Sequence, residues 1–182
     1  MVAMFLAAAD QTILASALPT IASSLEGIAD LSWVVVAYLL SATVAAPLYG
    51  YLGDRFGRRR VLLAALTVFT LASLACAAAP SFFWLVVFRA LQGLGGGGLM
   101  TTAQALIGEH VAPRERGRFA GYFATVFALA STTGPVLGAY LTEHFSWRAV
   151  FLINLPLGIV AAALALRVPQ APMARREGPF RP

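Results

Sequence analysis

The chain has no lysine, and its eight acidic residues are outnumbered by thirteen arginines in 182 positions. Hydrophobic residues make up 59% of it and the mean hydropathy is +0.78. A soluble domain reaches only about 45–50% apolar, even on a wider count that includes glycine, so this composition excludes one. A single cysteine, Cys76, lies inside an apolar run. It excludes a disulfide framework and reads as a small packing residue. The net charge of +5 invites a nucleic-acid partner, but the arginines fall in loops between apolar runs rather than on one soluble face, which excludes it. No HExxH, no GxSxG and no pair of intramembrane carboxylates is present, which argues against an intramembrane enzyme. His110 and His144 lie in loops beside acids and read as solvated. Gly93 and the glycines at 95–98 are not followed by Lys-Ser/Thr, and no strand precedes them. They predict tight helix packing rather than a phosphate loop.

What is present is six apolar runs near 2–24, 32–53, 60–79, 82–108, 117–141 and 147–167. Each reaches the 20 or so residues that a helix needs to cross a bilayer. The chain is therefore expected to be an all-α integral membrane protein, with a six-helix bundle over 1–168 and a basic, proline-rich, disordered tail over 169–182. Eleven of the thirteen arginines fall on one side of this layout, Arg148 alone on the other, and Arg89 inside a helix. Arginine is retained on the cytoplasmic side, so both termini are expected there. The first run is not a signal peptide, because it lacks a basic leader and contains Asp10 and Pro19. It starts abruptly, nine residues before Asp10, which leads us to expect that the native start is missing.

The densest charge lies in Gly50, Leu52, Gly53, Asp54, Arg55, Gly57, Arg58, Arg59 and Arg60, between the second and third runs. Its glycines allow a tight turn and close helix approach. Two ionisable residues stand inside spans, Asp10 and Arg89. A charge at the bilayer centre costs about 2.5–3.5 kcal/mol on insertion scales, so each should face the interior and find a partner. Counting about 1.5 Å per residue from opposite sides brings both near the midplane, within reach of one another. Gln92 shares a face with Arg89, and Gln104 is expected to add a polar site further along the same helix. Pro19 is expected to free the carbonyl of Ala15 and bend the first helix. Trp33, Trp84 and Trp147 are expected to anchor at the membrane interfaces. Mixed glycine and arginine at two equivalent junctions point to a three-plus-three repeat.

Several of these runs carry a resemblance. Gly50, Leu52, Asp54, Arg55, Gly57, Arg58 and Arg59 resemble the loop between helices 2 and 3 of major facilitator superfamily transporters. Asp10, Thr12, Ala17, Leu18 and Pro19 resemble the first-helix motif of its drug:proton antiporter branch, with Ala9 and Ala15 where that motif has leucine and asparagine. Arg89, Gln92, Gly93 and Gly95 resemble the fourth-helix motif, and Gly134, Pro135 and Gly138 the antiporter signature of helix 5. Trp147, Arg148, Phe151, Asn154 and Pro156 resemble a sixth-helix run of the fourteen-helix antiporters.

The resemblance implies one major-facilitator half, the N-terminal one, in a bacterial plasma membrane. It implies export of drugs or other amphipathic small molecules in exchange for protons. Proton coupling and the substrate cavity would fall to Asp10, Arg89, Gln92 and Thr12. Conformational switching would fall to the Gly50–Arg59 loop, and a packing hinge to Gly134, Pro135 and Gly138. The proton gradient would replace any cofactor. The partners would be drug-like substrate, protons, lipid, and the C-terminal half or a partner subunit. The alternative is a truncated, non-transporting fragment, or a membrane subunit that needs a partner half.

Overall fold

Several helix ends have a local cause. In the computed structural model, which describes residues 1–25 and 31–167, the order is α1 (Val2–Leu25), α2 (Ser32–Phe56), α3 (Arg58–Ala77), α4 (Phe82–His110), α5 (Arg116–His144), α6 (Ala149–Leu152) and α7 (Asn154–Arg167). The expected tail at 169–182 and most of the expected loop near 26–31 lie outside the described residues. Between α2 and α3 stands Gly57, at φ 91° with no atom within 4 Å of the side chain it lacks. There glycine is required by the backbone, because other residues pay to enter positive φ. Between α4 and α5, Pro113 opens a single 3₁₀ turn (Pro113–Glu115). All six spans are long and apolar enough to cross a membrane, counting α6 and α7 together. In lipid, a helix is one of the few structures that satisfies every backbone polar group internally.

The sixth span departs from the expected continuous helix. It pauses at Ile153, between α6 and α7. Pro156 has no N–H to give the carbonyl of Leu152, and its ring crowds that carbonyl. Pro19, Pro47 and Pro135 sit within helices that run on unbroken.

Exchanging the first three spans with the last three maps the α2–α4 contact onto α5–α1, and maps the α1–α4 and α3–α7 contacts onto themselves. The α2–α4 and α5–α1 match is in line with the expected three-plus-three repeat. α1, α3 and α4 are buried over about half of their spans, whereas α2 and α5 each bury a narrow stripe. In α5 the stripe is Ala130, Gly134 and Gly138, one residue per turn.

The glycines of α4 let two neighbours close on it. A Cβ at Gly97 would lie 2.3 Å from the Ala42 carbonyl oxygen of α2, and one at Gly95 would lie 2.6 Å from the Phe69 nitrogen of α3. The expectation of packing over phosphate binding is met. Arginines tie α3 to the sixth span at both ends. Arg59 donates to the Leu166 carbonyl at 2.7 Å, and Arg148 donates to the Ala77 carbonyl.

Candidate functional site

Two apolar clusters divide the bundle, and a polar layer lies at their boundary. On α1, Ala7 belongs to one cluster and Ile13 to the other, with Asp10 between them. On α3, Phe69 and Cys76 flank Ser73; on α4, Leu85 and Leu99 flank Arg89 and Gln92. In the sixth span Phe151 and Ala161 flank Asn154. All five polar side chains are buried, none more than 1% exposed.

Their hydrogen bonds form one network. Arg89 Nη1 lies 2.6 Å from Asp10 Oδ2 and also donates to Gln92 Oε1 at 2.6 Å. Asp10 Oδ1 accepts from Gln92 Nε2 at 2.9 Å and from Asn154 Nδ2 at 2.6 Å. Ser73 Oγ accepts from the same two amides, at 2.7 and 3.2 Å. Arg89 Nε donates to the Val34 carbonyl of α2 at 3.2 Å, and its guanidinium lies 4.4 Å from the Tyr38 ring centroid. A buried ion pair is tolerable only when further hydrogen bonds satisfy both charges. Here three donors meet one carboxylate. Arg89 Nη2 and Asn154 Oδ1 remain buried with no protein partner.

Chemically, the layer balances one carboxylate against one guanidinium, with two amides and a hydroxyl around them. A proton on this carboxylate would cancel the attraction that holds Arg89, and the two amides can rotate to accept rather than donate. Rearrangement would be felt by α1, α3, α4 and the sixth span together, since each contributes a side chain.

Of the residues expected at this site, the structure brings Asp10, Arg89 and Gln92 together and leaves Thr12 out. Thr12 Oγ1 turns to α5, lying 2.9 Å from the Ala130 carbonyl and 3.0 Å from that of Ala9. Two positions beyond Asp10 on a helix is the wrong face for a shared site. Gln104 is exposed and joins no part of the layer. Ala15 is exposed as well, so the amides beside Asp10 come from Gln92 and Asn154 rather than from that position of the first-helix motif.

Thr12 instead belongs with the helix-5 motif. A Cβ at Gly134 would lie 2.0 Å from Thr12 Oγ1, and one at Gly138 would lie 2.4 Å from the Ile13 carbonyl oxygen. Pro135, exposed between them, removes one helical N–H without breaking α5. Gly134 and Gly138 are thus where α1 and α5 touch.

The expected loop at 54–60 is reduced to Gly57, and Arg58 in the first turn of α3 centres a charge network. Arg58 reaches Asp54 Oδ1 at 2.9 Å and Glu109 Oε1 of α4 at 2.8 Å. Asp54 is itself largely exposed, and Arg55 turns away to the Tyr51 hydroxyl at 3.1 Å. Gly50 makes only ordinary contact, with Thr101 at 4.0 Å. Trp147 corrects the expectation of three interface anchors. Trp33 and Trp84 are exposed, but Trp147 is buried edge-on against Phe151, under the Arg148 guanidinium.

The sequence profile of the Major Facilitator Superfamily matches residues 1–182. An uncharacterized MFS-type transporter of Mycobacterium tuberculosis is 44% identical over 162 residues, covering 89% of this chain and 24% of its own length. The multidrug transporter protein MdtP of Bacillus subtilis is 40% identical over 166 residues, covering 91% of this chain and 31% of its own. The chain thus spans about a quarter to a third of the curated relatives it matches. The crystal structure of a D-xylose-proton symporter superposes with a TM-score of 0.82 over 94% of this chain and 47% of that one, at 17% identity. A common fold, a family-wide profile and a membrane-spanning bundle agree: this integral membrane protein belongs to the major facilitator superfamily.

Proposed function

We propose that this chain is the N-terminal half of a proton-coupled exporter of drug-like amphipathic molecules, working with a second six-helix unit. The observation that carries the proposal is the sealed carboxylate of Asp10, held by Arg89 and Gln92 from α4 and by Asn154 from α7. A buried ionisable side chain in a span is a candidate for ion or proton coupling. Asp10 is the coupling acid. It carries the proton in one state and pairs with Arg89 in the other. Cargo is a cation or amphipath, in line with a relative named as a multidrug transporter. The arginine-rich end of the bundle, with both termini, faces the cytoplasm. Gly134, Pro135 and Gly138 let α5 shift on α1 as access changes, while Arg58 holds the ends of α2, α3 and α4 in register.

The test is proton release when a fluorescent lipophilic cation is added to the purified complete transporter in detergent. Wild type should release protons, and Asp10→Asn should not. Equal release by both would show that Asp10 is not the coupling acid. In inverted vesicles, Asp10→Asn should also abolish uptake driven by a proton gradient, while Gln104→Ala should retain it.

A further inference from the structure

Outside the polar layer, an apolar groove of about 410 Å³ runs between α2 and α3. Leu48, Leu52 and Phe56 form one wall, Ala64 the other, and Leu94 of α4 the floor. Arg60 closes the arginine-rich end. The volume falls in the range of small-molecule sites, about 300–1,000 Å³.

Arg60 is poorly explained by the protein around it. The first turn of α3 holds Arg58, Arg59 and Arg60, where the helix dipole disfavours positive charge. Arg58 recovers this through Asp54 and Glu109, and Arg59 through the Leu166 carbonyl. Arg60 is exposed and has no ion pair or hydrogen bond among the described residues. It stands at the arginine-rich end of a slot lined by hydrocarbon side chains.

We propose that this groove binds one anionic phospholipid, with an acyl chain along α2 and α3 and the phosphate paired with Arg60. Charge complementarity selects the occupant. A zwitterionic lipid fills the slot equally well but brings no net charge to the guanidinium.

The test uses native mass spectrometry of the purified complete transporter with equal phosphatidylglycerol and phosphatidylcholine of matched acyl chains. Wild type should retain phosphatidylglycerol in about fivefold preference, the ratio for one arginine near an anionic headgroup. Arg60→Gln should bring the ratio to parity. Arg116→Gln removes the same charge at the same end of the bundle and should keep the preference. Ala64→Phe, a substitution at an exposed position that fills the slot, should reduce retention of both lipids. Soluble glycerol 3-phosphate should not compete. The proposal is overturned if Arg60→Gln keeps the preference, if Arg116→Gln loses it equally, if Ala64→Phe retains both lipids, or if glycerol 3-phosphate displaces the lipid.

Discussion

Asp10 and Arg89 meet at 2.6 Å, with both side chains wholly excluded from solvent. The pair is asymmetric in what its loss leaves behind. Asp10→Asn preserves shape but strands a buried guanidinium, and breaking a buried pair from one side costs about 3–5 kcal/mol. Replacing both partners by apolar residues, Asp10→Leu with Arg89→Met, removes the unpaired charge and should recover much of that loss. Unfolding in detergent should rank wild type above the double variant, and the double variant above Asp10→Asn. If Asp10→Asn unfolds like wild type, the ion pair contributes nothing to the fold.

The α4 glycines allow a sharper test of packing. At Gly97 a methyl group would meet the Ala42 backbone carbonyl, which cannot rotate away. Gly108 lies in the same helix with nothing within 4 Å of the missing Cβ. Gly97→Ala should destabilise by about 1–3 kcal/mol, as overpacking does. Gly108→Ala should be neutral or slightly stabilising, because alanine favours the helix by up to about 1 kcal/mol over glycine. Equal thermal midpoints for the two variants would mean that α2 and α4 can separate without cost.

Much of this architecture was readable from the residues. Apolar run length placed the six spans to within three residues of the observed ends. The cost of intramembrane charge identified Asp10 and Arg89 as partners before any coordinates. Helical periodicity added Gln92. What escaped was whatever depends on which helix faces which. Ser73 is one hydroxyl in an apolar run, where serine commonly bonds its own backbone, and nothing local marks it as a partner of Gln92. Asn154 stood in a recognised motif, yet only the packing of α7 on α3 and α1 brings it to Asp10. Thr12 failed in the opposite way. The first-helix motif suggested a shared site with Asp10, but the helix turns Thr12 towards α5. Glu109 likewise pairs with Arg58 across two helices, beyond the reach of any spacing rule.

The orientation rests on arginine distribution, and the fold supplies good reporter sites for it. Gly57 is unsuitable for cysteine substitution, since its positive φ would strain the replacement. Arg55 is exposed at the arginine-rich end, and Ser81 and Glu143 are exposed at the other. Cys76 is buried and should stay silent. In intact cells a membrane-impermeant maleimide should label Ser81→Cys and Glu143→Cys and leave Arg55→Cys unmodified. Labelling of Arg55→Cys alone would reverse the topology.

Arg59 and Arg148 perform the same task at opposite ends of one antiparallel pair. Each sits at the start of its own helix and donates to a carbonyl in the last turn of the other. Ala77 and Leu166 lie equally far along the chain from Arg59 and Arg148, so the two ties are equivalent under the three-plus-three exchange. Both acceptors are at helix ends, where carbonyls lack intrahelical partners and the dipole attracts a cation. The part-buried Arg148 should therefore contribute up to about 2 kcal/mol and the exposed Arg59 bond about 0.3–1 kcal/mol. Midway, Gly158 holds the helices in contact at Thr70, where a Cβ would lie 2.5 Å from the hydroxyl. With the centre clamped, each end should loosen on its own. Arg148→Gln should speed amide exchange in the last turn of α3 and spare the last turn of α7. Arg59→Gln should do the reverse, and the double variant should lose the sum of the two, within about 0.3–0.5 kcal/mol. Should Arg148→Gln also speed exchange near Leu166, the pair pivots at Gly158 and the two ties act as one.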